Sequence, residues 1–305
     1  MNHATADVSP LHDVGEIELS LPDGSQDLSQ GSIRFIGTAT VLMRYAGFTI
    51  LTDPNFLHRG ESVHLGYGLR SKRLTEPAMT LDDLPPIDLV VLSHLHEDHF
   101  DRKVQERLER AVPIVTTPKA AHALSHMGFR KTIPLQTWQG VSFVKGGTRL
   151  RITGMPGRHG PWLLSNLLPP VMGSMLEFQK GEGELLLRSY ITGDTLMHGA
   201  LRDIPARYPH IDQALLHLGG TRVVGMLVTM DAKQGVQALQ LFKPKIAIPI
   251  HYNDYTVFKS PLADFRREVK AAGLDLQVRY VDHGETYSFL LESRHEKPVE
   301  RERWR

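Results

Sequence analysis

Six consecutive positions, 94–99, hold five residues that can bind a metal ion or transfer a proton. They are, in order, His94, His96, Glu97, Asp98 and His99. Extended backbone sends alternate side chains to the same side, so His94 and His96 can bind one cation together. Asp98 and His99 can then face a second point close by. The spacing favours two adjacent metal ions over one, and a solvated histidine cluster without metal is the alternative.

The residues on either side of this cluster predict the element that carries it. Residues 87–92 form a short apolar run with branched side chains after two prolines, which is typical of a buried strand. Residues 101–110 have the composition of a helix with an acidic start. The cluster is therefore predicted to lie on a strand-to-helix turn.

Length and composition limit the possible classes of protein. A chain of 305 residues can form one large α/β domain or two small ones. Its formal net charge of +1 gives no basic surface for nucleic acid, and no apolar run is long enough to span a membrane. The absence of cysteine excludes disulfides, thiolate ligands and a cysteine nucleophile. The N-terminal region lacks the apolar core of a signal peptide, so a cytoplasmic location is expected by default.

Strand-like segments dominate each half of the chain, and helices follow in the second part of each half. Three short strands over 33–52 predict an antiparallel meander, and residues 174–191 predict a hairpin. Asp231 is the predicted N-cap of a helix, and residues 277–281 are a predicted strand. This order predicts an α/β protein with a four-layer αββα sandwich, rather than a doubly wound parallel sheet.

The predicted domain boundaries follow the periodicity of the chain. Residues 1–31 lack periodicity and are expected to form a loose N-terminal arm, and residues 292–305 are expected to form a charged, solvated tail. Residues 32–291 are predicted to form one folded domain. Within it, the long segment 55–86 and the apolar segment 161–172 could each line a site, and a surface loop or an oligomer contact are the alternatives.

Further metal-binding residue types follow other predicted strands. His159 lies in a glycine-rich loop, Asp194 lies in a Thr-Gly-Asp-Thr sequence, and His251 comes directly after an apolar strand. Because each stands at a break from strand to loop, one rim of the sandwich could gather them with the 94–99 cluster. A two-metal hydrolytic site needs about three protein ligands for each ion, with the ions roughly 3.5–4 Å apart.

The predicted ligand assignment uses seven of these residues and leaves out Glu97. Asp194 bridges the two ions through its two carboxylate oxygens. The first ion takes His94, His96 and His159, and the second takes Asp98, His99 and His251.

The expected nucleophile is a hydroxide shared by the two ions, so no protein nucleophile is needed. Asp98 or Asp194 could orient this hydroxide, which makes Asp98 a predicted catalytic residue as well as a ligand. Asp53 is a candidate hydrogen-bond partner of a ligand imidazole, with a plain turn carboxylate as the alternative. His217 lies inside a predicted strand and is expected to be structural.

These motifs resemble those of the metallo-β-lactamase superfamily. The H-x-H-x-D-H pattern matches in full over 94–99, and Thr-Gly-Asp-Thr at 192–195 is similar to the motif of the bridging aspartate. Pro-Ile-His-Tyr at 249–252 is similar to the motif of the last histidine, and His159 takes the place of the third. The resemblance covers roughly residues 32–291 and implies the αββα fold with a dinuclear metal site.

One branch of the superfamily has similar local sequences at 37–41, 51–54 and 84–88. This branch contains ascorbate-6-phosphate lactonase and the phospholipase D that cleaves N-acyl-phosphatidylethanolamine, and the phospholipase is the more similar of the two. Thr38 stands where the branch usually has histidine, and Thr229-Met230 stands where the phospholipase has one. These differences weaken the transfer of the branch's substrate to this chain, and they leave the prediction of metal binding unchanged.

The resemblance implies a dinuclear metal-dependent hydrolase that acts on phosphodiesters in the manner of a phospholipase D. A lactonase, or a hydrolase of other carboxylic or phosphoric esters, is the alternative, because the same hydroxide can attack either group. A non-catalytic protein that binds metal or takes part in an assembly is the third hypothesis.

Two divalent metal ions are the expected cofactors. Five histidines and two aspartates suit Zn²⁺, with Mn²⁺ or Fe as alternatives. The expected partner is a small-molecule or lipid-like substrate and not nucleic acid. Contact with a membrane surface and formation of a homo-oligomer are both left open.

Overall fold

The computed structural model describes residues 12–20, 27–65, 70–161, 168–181 and 183–291. The strands in these ranges are, in chain order, β1 (His12–Glu18), β2 (Gln30–Gly37), β3 (Thr40–Tyr45), β4 (Phe48–Thr52), β5 (Ser62–His64), β6 (Arg70–Lys72), β7 (Leu89–Val91), β8 (Ile114–Thr116), β9 (Thr132–Pro134), β10 (Gln139–Lys145), β11 (Thr148–Met155), β12 (Gly173–Lys180), β13 (Glu184–Ile191), β14 (Gln213–His217), β15 (Arg222–Val223), β16 (Met226–Leu227), β17 (Ile246–Ile250) and β18 (Thr286–Leu290).

Helices connect many of these strands. The α-helices of the described residues are α1 (Arg102–Arg107), α2 (Pro118–His126), α3 (Asp203–Arg207), α4 (Ala232–Phe242) and α5 (Leu262–Ala271). Short 3₁₀ turns lie at Leu81–Asp83, Gly199–Arg202 and Asp275–Gln277. Asp231 caps α4 as predicted, because its side chain accepts a hydrogen bond from the amide of Gln234.

Most strands belong to two mixed sheets of seven strands each. The first sheet has the order β1-β10-β11-β12-β13-β14-β17, and the second has the order β18-β2-β3-β4-β7-β8-β9. Each sheet combines an antiparallel part with a parallel part: β13, β14 and β17 are parallel in the first, and β4, β7, β8 and β9 in the second. The hairpins β5-β6 and β15-β16 lie outside both sheets.

The two sheets pack face to face, with helices on their outer faces. Between the sheets, the ring of Tyr45 lies 5.1 Å from that of Phe178 in an edge-to-face contact. Val104 of α1 and Leu124 of α2 pack against the outer face of the second sheet. Helices α4 and α5 join the larger core on the side of the first sheet. This arrangement confirms the predicted four-layer αββα sandwich.

Strand β7 is buried on both faces, as its unbroken apolar sequence predicted. Leu89 and Val91 face the core between the sheets, while Val90 faces the helices. Burial on both faces fixes the strand firmly, because shifting its pairing by one residue would exchange the two faces. The turn that follows β7 therefore begins from a rigid position.

One rim of the sandwich collects the carboxyl ends of many strands. In the first sheet, β11 is antiparallel to β12 and β12 to β13, so β11 runs in the same direction as β13, β14 and β17. In the second sheet, the same reasoning gives β2, β4, β7 and β8 a common direction. The loops after these strands are therefore neighbours at the end of each sheet.

Two local predictions were wrong. Residues 12–18 were assigned to a loose arm, but they form β1, which pairs in parallel with β10 at the edge of the first sheet. The partner lies more than a hundred residues away, so no local pattern revealed it. Residues 277–281 do not form a strand; a 3₁₀ turn precedes Val278, which makes only an isolated bridge to Ala247.

The boundaries at 31/32 and 291/292 stay predictions, and the charged segment 292–305 lies outside the described residues. Among the helices that the structure describes, none is long and apolar enough to cross a membrane.

Candidate metal centre

All seven predicted ligands lie together at one rim of the sandwich. The turn after β7 carries the 94–99 cluster, and the loop after β11 carries His159. Asp194 follows β13, and His251 follows β17 directly. The second sheet therefore supplies four of the donor residues and the first sheet supplies three.

The first donor group consists of three histidines whose ring nitrogens lie within 4.8 Å of one another. They are His94, His96 and His159. The Nε2 atom of His94 lies 2.9 Å from Nδ1 of His96, and the ring of His159 is 5.0 Å from that of His94. This group is the one predicted for the first ion.

The second donor group contains Asp98, His99, Asp194 and His251. Oδ2 of Asp194 lies 3.4 Å from Nε2 of His99, and Oδ2 of Asp98 lies 3.5 Å from Nε2 of His251. The two groups adjoin, because the rings of His94 and His99 are only 4.2 Å apart. These are the donors predicted for the second ion together with the predicted bridging carboxylate.

Several atoms of the second group are buried and have no hydrogen-bond partner among the described residues. They are Oδ1 of Asp98, Nε2 of His99, Oδ1 of Asp194 and Nε2 of His251. Leaving one buried polar atom unpaired costs about 1–3 kcal/mol, so four together need a compensating interaction. A divalent cation would provide one, since imidazole nitrogens and carboxylate oxygens are its usual ligands. The residues therefore fit the metal ions that the sequence predicted.

Burial and neighbouring charges set the pKa values of these donors. Burial lowers the pKa of His94 well below its usual value and that of His96 to about 3, so both imidazoles are neutral and can bind a cation. Burial raises the pKa of Asp194, but the facing His251 and His99 outweigh it and hold the pKa well below its usual range. Burial also lowers the pKa of His99, yet the surrounding carboxylates raise it well above the usual value. The second group thus has a strong affinity for positive charge.

Backbone carbonyls fix the orientation of two of the imidazoles. Nδ1 of His159 donates to the carbonyl of Val228 at 2.9 Å, and Nδ1 of His251 donates to that of Leu218 at 3.0 Å. Each bond places the ring proton on Nδ1 and leaves the Nε2 lone pair directed into the site.

Asp53, at the end of β4, contacts a predicted ligand as expected for a supporting carboxylate. Its Oδ2 lies 3.4 Å from Nδ1 of His99, and its Oδ1 accepts a hydrogen bond from the amide of Ser93 at 2.7 Å. The same Oδ2 lies 3.2 Å from Nε2 of His217. The alternative, a plain turn carboxylate, does not explain these contacts.

Two supporting residues were missed from the sequence. The hydroxyl of Thr229 donates to Oδ2 of Asp194 at 3.1 Å, although the sequence identified this position only by its departure from a related branch. The side-chain amide of Asn55 donates to the carbonyl of Glu97 at 2.8 Å and so fixes the turn after β7. Neither residue has a local signal, because both act through partners that are distant in sequence.

The two long connecting segments differ in what the structure describes of them. Within 55–86, the β5-β6 hairpin approaches the site, and the amide of His64 donates to Oε2 of Glu97 at 2.6 Å. His58 is exposed and lies 2.9 Å from Glu76. Half of the apolar segment 161–172, residues 162–167, lies outside the described residues, so its predicted role is untested.

Comparison with known proteins identifies relatives of the chain. A family model described as "Beta-lactamase superfamily domain" matches residues 49–252, which is most of the chain and includes every predicted ligand. A UPF0173 metal-dependent hydrolase of Archaeoglobus fulgidus is 28% identical over 229 residues, covering 72% of this chain and 92% of the relative. A UPF0173 metal-dependent hydrolase of Nanoarchaeum equitans is 27% identical over 202 residues, covering 65% of this chain and 85% of the relative.

A solved structure supports the fold independently. The isothiocyanate hydrolase from Delia radicum gut bacteria superposes with a TM-score of 0.71 at 22% identity, covering 85% of this chain and 99% of that one. At this identity the similarity establishes the αββα fold and not the substrate.

Proposed function

The chain belongs to the beta-lactamase superfamily and is a metal-dependent hydrolase, and from this premise we propose that it uses two divalent ions to hydrolyse phosphodiesters. The observation that carries the proposal is the convergence of two adjacent donor groups from both sheets at one buried rim. Zn²⁺ is the ion that best suits this mixture of imidazole and carboxylate, and Mn²⁺ or Fe are the alternatives.

Bound ions would supply positive charge that acidifies a water molecule and stabilises the negative charge that develops on the substrate. The protein contributes the geometry. Thr229 holds Asp194 by a hydrogen bond, and carbonyls direct His159 and His251 into the site. The pKa of Asp98 is lowered because His99 and His251 outweigh the effect of burial. Asp98 is therefore ionised at neutral pH and can accept a hydrogen bond from the attacking water.

The substrate class rests on the local resemblance to the phospholipase branch at 37–41, 51–54 and 84–88. A lactone is the second candidate, since the same donors would serve attack on a carbonyl carbon. In either case the expected partner is a small or lipid-like molecule, and contact with a membrane surface or self-association would depend on the segment 161–172. A cytoplasmic location stays a prediction.

The first experiment measures the metal content of the purified protein by elemental analysis, without added metal in any buffer. We expect two equivalents of a divalent transition metal for each chain. Asp194→Asn should lose at least one equivalent and at least about 100-fold in turnover, since it weakens a donor shared by both ions. Asp231→Asn is the matched control, because asparagine caps a helix about as well as aspartate and should change neither quantity.

The second experiment compares substrates for the fully loaded protein. We expect turnover of bis-p-nitrophenyl phosphate and little turnover of simple lactones. Lactone hydrolysis with an inert phosphodiester would reject the phosphodiester proposal and favour the second candidate. Asp194→Asn serves as the background for each substrate, so that contaminating activity is recognised.

A further inference from the structure

His217 is a fully buried histidine beside the metal centre that neither donor group uses. It is the last residue of β14, and it lies between Thr192 and Asp53. Its ring is nearly parallel to that of His99, with an angle of 11° between the planes and 5.9 Å between the centroids. The sequence indicated a structural role, but polar contacts connect it through Asp53 to the predicted ligand His99.

The donors and acceptors in these contacts can be assigned from chemistry. Asp53 acts as an acceptor, because Oδ1 faces the amide of Ser93 and Oδ2 faces ring nitrogens of His99 and His217. A neutral imidazole carries a proton on only one of its two ring nitrogens. That proton of His217 belongs on Nε2, which lies 3.2 Å from Oδ2 of Asp53. Nδ1 then accepts from the hydroxyl of Thr192, 3.3 Å away, and this hydroxyl oxygen accepts from the backbone amide of His217.

Asp53 passes this constraint on to the metal centre. Its Oδ2 also lies 3.4 Å from Nδ1 of His99, a nitrogen that lies equally far from the hydroxyl of Ser93, while its Oδ1 accepts a hydrogen bond from the amide of Ser93 at 2.7 Å. With Nδ1 of His99 acting as a donor, its Nε2 is left to face Asp98 and Asp194. A carboxylate that lost the bond from His217 would have one restraint fewer on the oxygen that orients His99.

We propose that His217 is a positioning residue that acts through Asp53 on His99 and thereby sets the affinity for the second metal ion. The proposal rests on the two-ion function above. His217 touches neither an ion nor the substrate. It holds Oδ2 of Asp53. This oxygen determines which ring nitrogen of His99 carries a proton and how the ring is rotated.

A third metal ion among Asp53, His99 and His217 is the competing explanation, since their donor atoms also lie within 4.8 Å of one another. The hydrogen-bond pattern argues against it. No side-chain oxygen of Asp53 and no ring nitrogen of His217 is among the buried atoms that lack a partner, whereas the second donor group supplies four such atoms. Asp53 and His217 are therefore satisfied by hydrogen bonds, and the second donor group is not.

The test is a stepwise calorimetric titration of the metal-free protein with Zn²⁺. We expect His217→Ala to weaken one of the two binding steps by about 10- to 100-fold and to leave the other unchanged. His217→Gln should restore most of that affinity, because its side-chain amide can donate to Asp53 as Nε2 does. His122→Ala on α2, where the histidine is exposed, is the control and should match the unsubstituted protein. Equal weakening of both steps, no weakening, or a glutamine variant no better than alanine would overturn the proposal.

Two further measurements keep this test separate from the proposed function. Nitrogen-15 spectra of the metal-free, unsubstituted protein should place the His217 proton on Nε2. A proton on Nδ1 would contradict the contact from His217 to Asp53, whatever the protein hydrolyses. Three equivalents of metal for each chain would favour the competing explanation, a third metal ion, and would overturn the proposed role of His217. If the unsubstituted protein binds two ions but hydrolyses no ester, the proposed function fails while the binding steps still decide the role of His217.

Discussion

The ammonium group of Lys145 contacts both carboxylate oxygens of Asp88, at 2.6 and 2.7 Å, and so joins the two sheets of the sandwich. Lys145 ends β10 in the first sheet, and Asp88 immediately precedes β7 in the second. The side chains are only 6% and 17% exposed. One oxygen of Asp88 also accepts from the amide of Thr49 at 2.8 Å. This ion pair fixes the start of the strand that leads to the metal centre.

We expect Lys145→Met to lower the free energy of unfolding by about 3 kcal/mol, because it leaves the carboxylate of Asp88 buried without its cation. Urea denaturation followed by circular dichroism measures the change. Arg107→Met is the control: it breaks the exposed pair with Asp82 and should have little measurable effect. The double variant Lys145→Met with Asp88→Asn should lose less of the free energy of unfolding than Lys145→Met alone. An equal loss from the exposed and the buried pair would refute this interpretation.

Removal of the metal ions should destabilise the protein as well as inactivate it. Ions that bind only the folded chain contribute about 2.7 kcal/mol at a concentration one hundred times their dissociation constant. For a chain of this size we expect dialysis against a chelator to lower the melting temperature on the order of 5–10 °C. Scanning calorimetry measures the melting temperature before dialysis, after dialysis and after Zn²⁺ is returned. Full activity in a protein proved free of metal would contradict the proposed function.

Gly193, next to Asp194, should tolerate no side chain. Its φ is +63°, and a Cβ atom would lie 2.7 Å from the carbonyl oxygen of Met172 and 3.0 Å from Cβ of Ser93. We expect Gly193→Ala to lose at least about 2 kcal/mol of stability, and metal affinity with it. Gly181→Ala is the matched control, since its φ is +57° but nothing lies within 4 Å of the added atom. It should show only the backbone strain of about 1 kcal/mol and normal metal binding. Thermal denaturation and calorimetric titration compare them, and equal effects would exclude a steric cause.

Glu61 should make stability depend on acid pH. Partial burial raises the pKa of its carboxyl, but Lys103, the amide of His58 and Arg102 outweigh this and lower the pKa to about 2. The unfolded value is about 4.3, so the contribution is present above that pH and is lost as the pH falls toward 2. Because these groups are partly solvated, we expect Glu61 to contribute only about 1 kcal/mol to the free energy of unfolding.

The measurement for Glu61 is the difference in melting temperature between the unsubstituted protein and Glu61→Gln from pH 7 to pH 3. The difference should be greatest at neutral pH and should shrink below about pH 4. Asp82→Asn, which removes an exposed carboxylate, is the control and should change the melting temperature little. A difference that is constant over this range would contradict the assignment of the charge effect to Glu61.

The sequence predicted the parts of the fold that depend on neighbouring residues. The apolar run before His94, the meander over 33–52 and the cap at Asp231 are all local patterns, and the structure contains each of them. The gathering of donors could also be predicted, because each follows a strand and the ends of co-directional strands lie side by side. Whether these residues bind two ions stays a prediction that the metal analysis above will test.

The remaining features depend on partners that are distant in sequence. Strand β1 is defined by its parallel pairing with β10, and its own sequence has no clear alternation. The contact between Asp53 and His217 joins residues 164 positions apart, on different sheets. No single stretch of sequence reveals such contacts, so the role of His217 could be inferred only from the folded molecule.

The division of the donors between the two sheets has a consequence for how the protein is made. In chain order the donors from the second sheet come first, and His251 comes last. A chain leaving the ribosome can present the cluster at 94–99 early, but it cannot assemble both donor groups until the segment after β17 has emerged. The complete donor set therefore becomes available only after translation has passed residue 251.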